Sequence, residues 1–288
     1  MYWCRLNGRT KSIIVFLILA ILTNIHISRT SFINGLFDDA FKKTVTVYLN
    51  YQTKTFEVLN GKKISLKYSE VDKNIAPFML ATAEDFYLQV KNKLNFDPGG
   101  EKILVIVYPD QTSLNDSIGM HGDRSAVGVY WAGSIRLLSP YAMLKQEIGQ
   151  KAAEKIFIEE GPIVHELTHY LVDKQTGGNY TRWLTEGLAQ YLEREITGYT
   201  LESPDRESRR QLYSLSSLDK DFDKQPDELL AYWQSLQAVT YLIDEHGIGK
   251  MRRLLTVLGQ GTAINQAFWQ VYQLSPDMLD DKVWIYIQ

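Results

Sequence analysis

The sequence predicts an α+β protein in which a small mixed β-sheet with a helix is followed by a helical lobe. Strand patterns and hairpin signals fill the first half of the chain. From about residue 141, apolar residues recur with helical spacing to the end. Two histidines four residues apart lie on a predicted helix just after this change, so the junction is where we look for a site.

The composition is that of an ordinary globular protein. Of the 288 residues, 45% are apolar and 23% are charged, which is enough to bury a sizeable core. The formal net charge of −3 offers no basic face, so we expect no nucleic-acid partner. Cys4 is the single cysteine, which excludes an intramolecular disulfide and a thiolate metal cluster.

Residues 1–28 differ from the rest of the chain. A short basic tail precedes an unbroken apolar run over 13–22, which suits the core of a signal peptide. As a helix, residues 12–28 would extend roughly 25 Å, just short of a bilayer core. Because no A-x-A cleavage site follows, we predict a signal anchor and a single-pass location at the cell membrane, with the remaining chain outside the cytoplasm. Secretion after cleavage is the alternative.

The rest of the chain divides into a polar spacer (29–43) and a domain (44–288). Residues 44–69 alternate apolar and polar side chains and are interrupted at Asn60-Gly61, which predicts two or three strands. The next patterns predict a helix over 75–94, a buried central strand over 102–109 and a hairpin that turns at Ala132-Gly133.

Helix start and stop signals organise the second half. Gly161-Pro162 begins a helix that runs to about Lys174, and Gly177-Gly178 ends it. Thr181 stands where it can cap the following helix. The predicted helices after this point cover 182–194, 231–246, 249–258, 262–272 and 276–287.

The segment "GPIVHELTHYLVDK" (161–174) carries the chemistry. Residues four apart on a helix share a face, so His165 and His169 can direct their imidazoles at one metal ion. Glu166 is one step round the helix and can act as general base on a metal-activated water molecule, as in the H-E-x-x-H motif. The surrounding side chains are mostly apolar, and buried imidazoles need partners. The segment therefore predicts one zinc ion per chain.

The residues alone leave the third zinc ligand open. Cysteine is excluded, and Val172 and Gln175 stand where a longer histidine motif needs glycine and histidine. His121 and His246 are possible ligands without motif context. Glu186, seventeen residues after His169, lies on the next predicted helix among apolar neighbours. It is the preferred candidate because the glycine turn lets the chain fold back.

"HELTH" followed by "WLTEGLAQYLE" resembles the gluzincin zinc metallopeptidases, specifically the peptidase-MA-like domains related to thermolysin and the aminopeptidases. The resemblance covers about residues 62–288. It implies a thermolysin-like zincin fold with the active-site helix at the junction. It also implies zinc on His165, His169 and Glu186, with Glu166 as the base and a peptide or protein as the substrate.

In relatives of this family, a tyrosine on a C-terminal helix stabilises the oxyanion. Tyr232 and Tyr241 are the candidates here, and Tyr232 is preferred because it stands where the family's helix begins. Tyr241 has the apolar surroundings of a core residue. Gln190, one turn beyond Glu186, can hydrogen-bond a ligand histidine.

The strand Ala126–Tyr130 precedes the motif helix, and we expect it at the sheet edge beside the cleft. Gly128, Val129 and Tyr130 would bind the backbone of a peptide substrate there. The predicted function is therefore a zinc metallopeptidase. The alternatives are a catalytically inactive, peptidase-like binding module on the cell surface and a zinc hydrolase of non-peptide substrates.

Overall fold

The computed structural model describes residues 31–287 except 101, 121–125 and 145, and only the backbone of 31–40 and 276. The chain divides into two compact units between Gln52 and Thr53. Within the described residues, the first unit is one helix, α1 (Ser31–Gln52). The second unit holds the sheet, the other helices and the predicted site.

Of the two or three strands predicted over residues 44–69, two form, both after residue 56, whereas residues 44–52 belong to helix α1, which begins inside the predicted spacer. The alternation that suggested a strand is only about six residues long. Among the described side chains of this helix, the buried ones are Val45 and Leu49. Their separation of four residues is the helical period, which outweighs the short alternation.

The predicted membrane anchor requires correction. In the part of the chain that the structure describes, no helix combines the length and the apolar character needed to cross a membrane. Helix α1 has 22 residues but carries Asp38, Asp39, Lys42 and Lys43 in its middle. This finding overturns the predicted single-pass location and the transmembrane assignment. The apolar run that prompted them lies outside the described residues.

The second unit contains a mixed sheet of five strands, β1 (Glu57–Asn60), β2 (Ile64–Tyr68), β3 (Ile103–Tyr108), β4 (Gly128–Trp131) and β5 (Ser134–Leu138). Their order in the sheet is β1-β2-β3-β5-β4. The outer pairs, β1 with β2 and β5 with β4, are antiparallel, whereas β3 is parallel to both of its neighbours. The predicted central strand is confirmed, because β3 is an almost wholly buried apolar run.

The predicted hairpin forms between β4 and β5. Its two turn residues, Ala132 and Gly133, have φ of 50° and 80°, as a two-residue type I′ turn requires. Trp131 and Ser134 face each other across the turn. This short turn places β4 at the sheet edge, as the sequence predicts.

Helices cover the sheet and continue into the helical lobe. Helix α2 (Ala76–Leu94) packs on β2, and α3 (Gln111–Ile118) packs on β3 and β5. The motif helix α5 (Ile163–Thr176) contacts β4 and β5 as well as the next helix, α6 (Arg182–Thr197), so it lies at the junction of sheet and lobe. The predicted architecture is confirmed. The helices after β5 are α4 (Gln150–Glu159), α5 (Ile163–Thr176), α6 (Arg182–Thr197), α7 (Leu215–Asp221), α8 (Glu228–His246), α9 (Ile248–Gly259), α10 (Ile264–Tyr272) and α11 (Pro276–Ile287).

Helices α6 and α8 pack unusually closely at Gly187. A Cβ atom at this position would lie 2.1 Å from the carbonyl oxygen of Ser235, which is too close for any side chain. Gly187, the residue next to Glu186, therefore allows the close contact between α6 and α8. This contact brings the start of α8 towards the residues of α6 that face the predicted metal.

Candidate metal centre

Helix α5 presents both motif histidines on one face. It begins directly after Pro162 and ends at Gly177, which has φ of 63°, so both predicted boundaries are confirmed. The rings of His165 and His169 have centroids 4.7 Å apart. Their apolar neighbours on the helix, among them Leu167 and Leu171, are fully buried. The buried side chains fix the rotation of α5 and with it the direction of the two imidazoles.

Helix α6 brings Glu186 to the two histidines. Thr181 takes the N-cap position, although its hydroxyl does not make the predicted capping bond. One turn later Glu186 is 3% exposed, so its carboxylate faces inward as its apolar neighbours suggested. Its Oε2 atom lies 3.2 Å from Nε2 of His165 and 3.5 Å from Nε2 of His169.

These distances fit a zinc site. The ligand atoms of His165, His169 and Glu186 all lie within 4.8 Å of one another. In a tetrahedral site with zinc bonds of about 2.0–2.1 Å, neighbouring ligand atoms are about 3.3 Å apart. The two nitrogen–oxygen distances match that value closely. Three protein ligands also leave the fourth position free for water or substrate, as catalytic zinc sites do.

The second nitrogen of each histidine has its own partner. Nδ1 of His165 lies 3.3 Å from Oε2 of Glu193, and Nδ1 of His169 lies 2.7 Å from Oγ1 of Thr185. Such partners fix the tautomer that leaves Nε2 free for a metal. The prediction that Gln190 plays this part is wrong, because its amide donates to the backbone oxygens of Glu186 and Tyr232 instead.

Opposite charges together outweigh the effect of burial on the pKa values of two predicted ligands, Glu186 and His165. Burial raises the pKa of Glu186, but the neighbouring His169, His165 and Arg182 outweigh it and hold that pKa well below its usual range. Burial lowers the pKa of His165, while the carboxylates of Glu186 and Glu193 raise it well above its usual value. A metal ion binds the deprotonated imidazole, so it must compete with protons for His165.

Glu166 lies beside the ligands and faces the sheet edge. Its Oε2 accepts a hydrogen bond of 2.5 Å from the backbone N–H of Tyr130 in β4. Burial raises the pKa of Glu166, against the two nearby histidines, which lower it. A raised carboxyl pKa suits a general base that must later give its proton back near neutral pH.

The close approach of β4 to α5 is possible because Gly128 has no side chain. A Cβ atom at Gly128 would lie 2.5 Å from Cγ of Pro162 and 3.1 Å from Oε1 of Glu166. Farther along α5, Oδ2 of Asp173 accepts a hydrogen bond of 2.6 Å from the side-chain hydroxyl of Tyr130. The edge strand is therefore joined to the motif helix both before and after Glu166.

A cleft of about 200 Å³ opens beside these groups. It is lined by Gly128, Val129, Tyr130, His165, Glu166, His169, Tyr180, Arg182, Thr185, Glu186 and Tyr232. The structure thus brings together the predicted ligands, base, edge-strand residues and preferred tyrosine. Burial, followed by the charge of Glu186, raises the pKa of Tyr232, so its hydroxyl stays protonated and can donate.

Two of the remaining candidates, Tyr241 and His246, are not among the residues that line the cleft. Tyr241 packs its ring against the rings of His246 and Tyr286. His246 also contacts Tyr272 and is not one of the grouped ligand residues. His121 lies outside the described residues.

Sequence reasoning missed three residues of α6 that support the site, namely Arg182, Thr185 and Glu193. All three are polar, whereas the inward face of this helix was predicted from its apolar residues. Arg182 and Glu193 stand four residues before and seven after Glu186. Those separations repeat the helical period, which is the signal that could have found them.

Comparison with known proteins agrees with this geometry. The family model of the peptidase MA superfamily matches residues 102–288, which is more than half of the chain. The chain belongs to the peptidase MA superfamily, and the predicted gluzincin-like domain is confirmed. Members of this superfamily are generally zinc-dependent. No curated protein matches the chain.

Proposed function

We propose that this protein is a zinc metallopeptidase that hydrolyses peptide bonds in peptides or proteins. The observation that carries the proposal is the position of Oε2 of Glu186, 3.2 and 3.5 Å from the two histidine nitrogens, with Glu166 alongside. His165, His169 and Glu186 would hold the zinc ion. When bound, zinc would polarise the scissile carbonyl and make a water molecule more acidic.

The chain's own residues would handle the proton and the developing charge. Glu166 takes the proton of the attacking water and returns it to the leaving amine. Tyr232 donates a hydrogen bond to the oxygen on which negative charge accumulates. Glu166 and Tyr232 line the same cleft as the three proposed ligands, so a substrate bound in this cleft would lie beside both groups.

The edge strand β4 would align the substrate. Leu138 donates its N–H to the carbonyl of Val127, and the alternation of an antiparallel ladder then turns the backbone groups of Gly128 and Tyr130 away from β5. The N–H of Tyr130 is taken by Glu166. The N–H and C=O of Gly128 and the C=O of Tyr130 are the groups we propose for backbone binding.

The test is digestion of a peptide library by the purified full chain with and without zinc, read by mass spectrometry. We expect zinc-dependent cleavage. Glu166→Gln should keep the metal, measured by elemental analysis, and lose about 10²–10⁴-fold in rate, because the base is gone. A wild-type chain that holds zinc and cleaves no peptide would contradict the proposal and favour a binding module.

A further inference from the structure

Arg182 contacts both a ligand residue and the tyrosine of the cleft. It lies one turn before Glu186 on α6, and its Nε donates to Oε1 of Glu186 at 2.6 Å. Its Nη2 lies 3.4 Å from the hydroxyl of Tyr232 and 3.5 Å from Oδ1 of Asp223. One planar guanidinium group therefore joins α6 to the start of α8 at the wall of the cleft.

We infer that Arg182 is a positioning residue that sets how Glu186 presents its oxygens and in which direction Tyr232 donates its proton. The inference rests on the proposed function, because both target side chains belong to that site. Arg182 itself acts without touching the substrate.

The first target is the carboxylate of Glu186. A charge-assisted hydrogen bond from Arg182 occupies Oε1, while Oε2 faces His165 and His169. Glu186 can then offer a metal ion one oxygen rather than two. Binding through one oxygen keeps the coordination number low, which preserves the open position that a catalytic zinc needs.

The second target is the hydroxyl of Tyr232. An arginine N–H can only donate, so the contact at 3.4 Å makes the phenol oxygen the acceptor. The proton of that hydroxyl must then point elsewhere, and none of the described residues accepts it in a hydrogen bond. Because Tyr232 lines the cleft, its proton is left for a group that binds there.

The orientation of the guanidinium is itself fixed by packing. Its central carbon lies 5.5 Å from the ring centroid of Phe222, and the ring of Phe222 meets the ring of Tyr232 edge-on at 5.1 Å. Asp223 holds the outer edge of the group. A lysine at this position would keep the charge, but one ammonium group cannot reproduce the planar fork that reaches both targets.

Zinc affinity tests the first target without any assay of catalysis. Competition with a chromogenic chelator should show about 10–100-fold weaker zinc binding for Arg182→Met than for the wild type. The zinc affinity of Arg182→Lys should lie between those of the wild type and Arg182→Met. The control is Arg252→Met, which also removes a guanidinium that bridges two elements, through the carbonyl oxygens of Lys93 and Asn92. It should bind zinc like the wild type. Unchanged zinc affinity in both Arg182 variants would overturn this part of the inference.

Binding of acetohydroxamate to the zinc-saturated chain tests the second target. Loss of one hydrogen bond corresponds to about 10-fold in affinity, so we expect about that loss for Arg182→Met and for Tyr232→Phe. If Arg182 acts through the hydroxyl, the double variant should lose no more than the weaker-binding single variant. Additive losses would overturn the coupling. A chain that shows the coupling but cleaves no peptide would contradict the proposed function while leaving this inference intact.

Discussion

Nδ1 of His165 lies 3.3 Å from Oε2 of Glu193, while Nε2 of the same ring lies 3.2 Å from Oε2 of Glu186. One imidazole is therefore held between two carboxylates of α6. Only the carboxylate of Glu186 shares its oxygen with the second histidine. For this reason we propose different roles for the two acids: Glu186 as a zinc ligand, and Glu193 as the hydrogen-bond partner that orients the ring of His165.

Replacing Glu193 should weaken zinc binding without removing the site. Partners of this kind are worth about 10–100-fold in metal affinity, so we expect a loss in that range for Glu193→Ala, measured by chelator competition. Glu195→Ala is the control, because Glu195 is an exposed acid on the same helix whose carboxylate pairs with Lys93 at 3.4 Å. Equal zinc affinity in the two variants would mean that Glu193 does not support the metal.

The position of Glu193 also explains why sequence reasoning chose the wrong partner for the histidine. Each residue of a helix turns the side-chain direction by about 100°. Glu193, seven residues after Glu186, therefore points about 20° from the direction of Glu186. Gln190, four residues after it, points about 40° away on the other side. Gln190 is turned by this rotation towards α8, where it meets the carbonyl oxygen of Tyr232. The rotation of α6 against its neighbours depends on close packing at Gly187, which no local pattern reveals.

The sequence correctly predicted those features of the fold that depend on residues close together in the chain. The spacing of His165 and His169, the stop at Gly177 and the two-residue turn at Ala132-Gly133 depend on neighbouring residues, and all three are as expected. The first part of the segment predicted to form two or three strands, residues 44–52, is helical, because a short alternation competed with a longer helical spacing. The contact of Arg182 with Glu186, one turn along α6, follows the helical period and could have been predicted. Its contact with Tyr232 on α8 becomes visible only when the helices are packed.

Tyr232→Phe should lower kcat with little change in KM or zinc content. The hydroxyl helps only when charge develops on the substrate oxygen, and a donor at such a position is worth about 10²–10³ in rate. Tyr241→Phe is the matched control, because its ring packs on His246 and Tyr286 rather than in the cleft. Peptide hydrolysis at several substrate concentrations separates the two parameters. If only Tyr241→Phe slows the reaction, the assignment of the oxyanion donor is wrong.

Gly187→Ala should destabilise the fold. The added methyl group would lie 2.1 Å from the carbonyl oxygen of Ser235, so α6 and α8 would have to move apart. Overpacking of this kind costs about 1–3 kcal/mol in the free energy of unfolding, which urea titration measures. Gly249→Ala on α9 is the control, since nothing lies within 4 Å of its added methyl group, and it should be neutral or slightly stabilising. Equal stability of both variants would show that the helices adapt at no cost.

Asp72 should make stability depend on pH in a predictable direction. It is fully buried beneath the sheet end, where Ser139 donates a hydrogen bond of 2.6 Å to its carboxylate. Burial outweighs that bond and raises the pKa of Asp72 to about 6, against about 3.9 in an unfolded chain. Between these values the folded state keeps a proton that the unfolded state has lost. The free energy of unfolding therefore falls most steeply as the pH rises from about 4 to 6, and the full loss from this group, from well below to well above both pKa values, is about 3 kcal/mol.

Asp72→Asn should remove this contribution, because an amide cannot ionise. Its unfolding free energy relative to the wild type should rise by about 2 kcal/mol between pH 4.5 and 7.5, measured by urea titration at each pH. Ser139→Ala should do the opposite. It removes the hydrogen bond that favours the ionised form, so the pKa of Asp72 should rise further and the fall in stability should extend to higher pH. If Asp72→Asn follows the wild-type curve at a constant offset, Asp72 ionises equally easily in the folded and unfolded chains, and burial does not set its pKa.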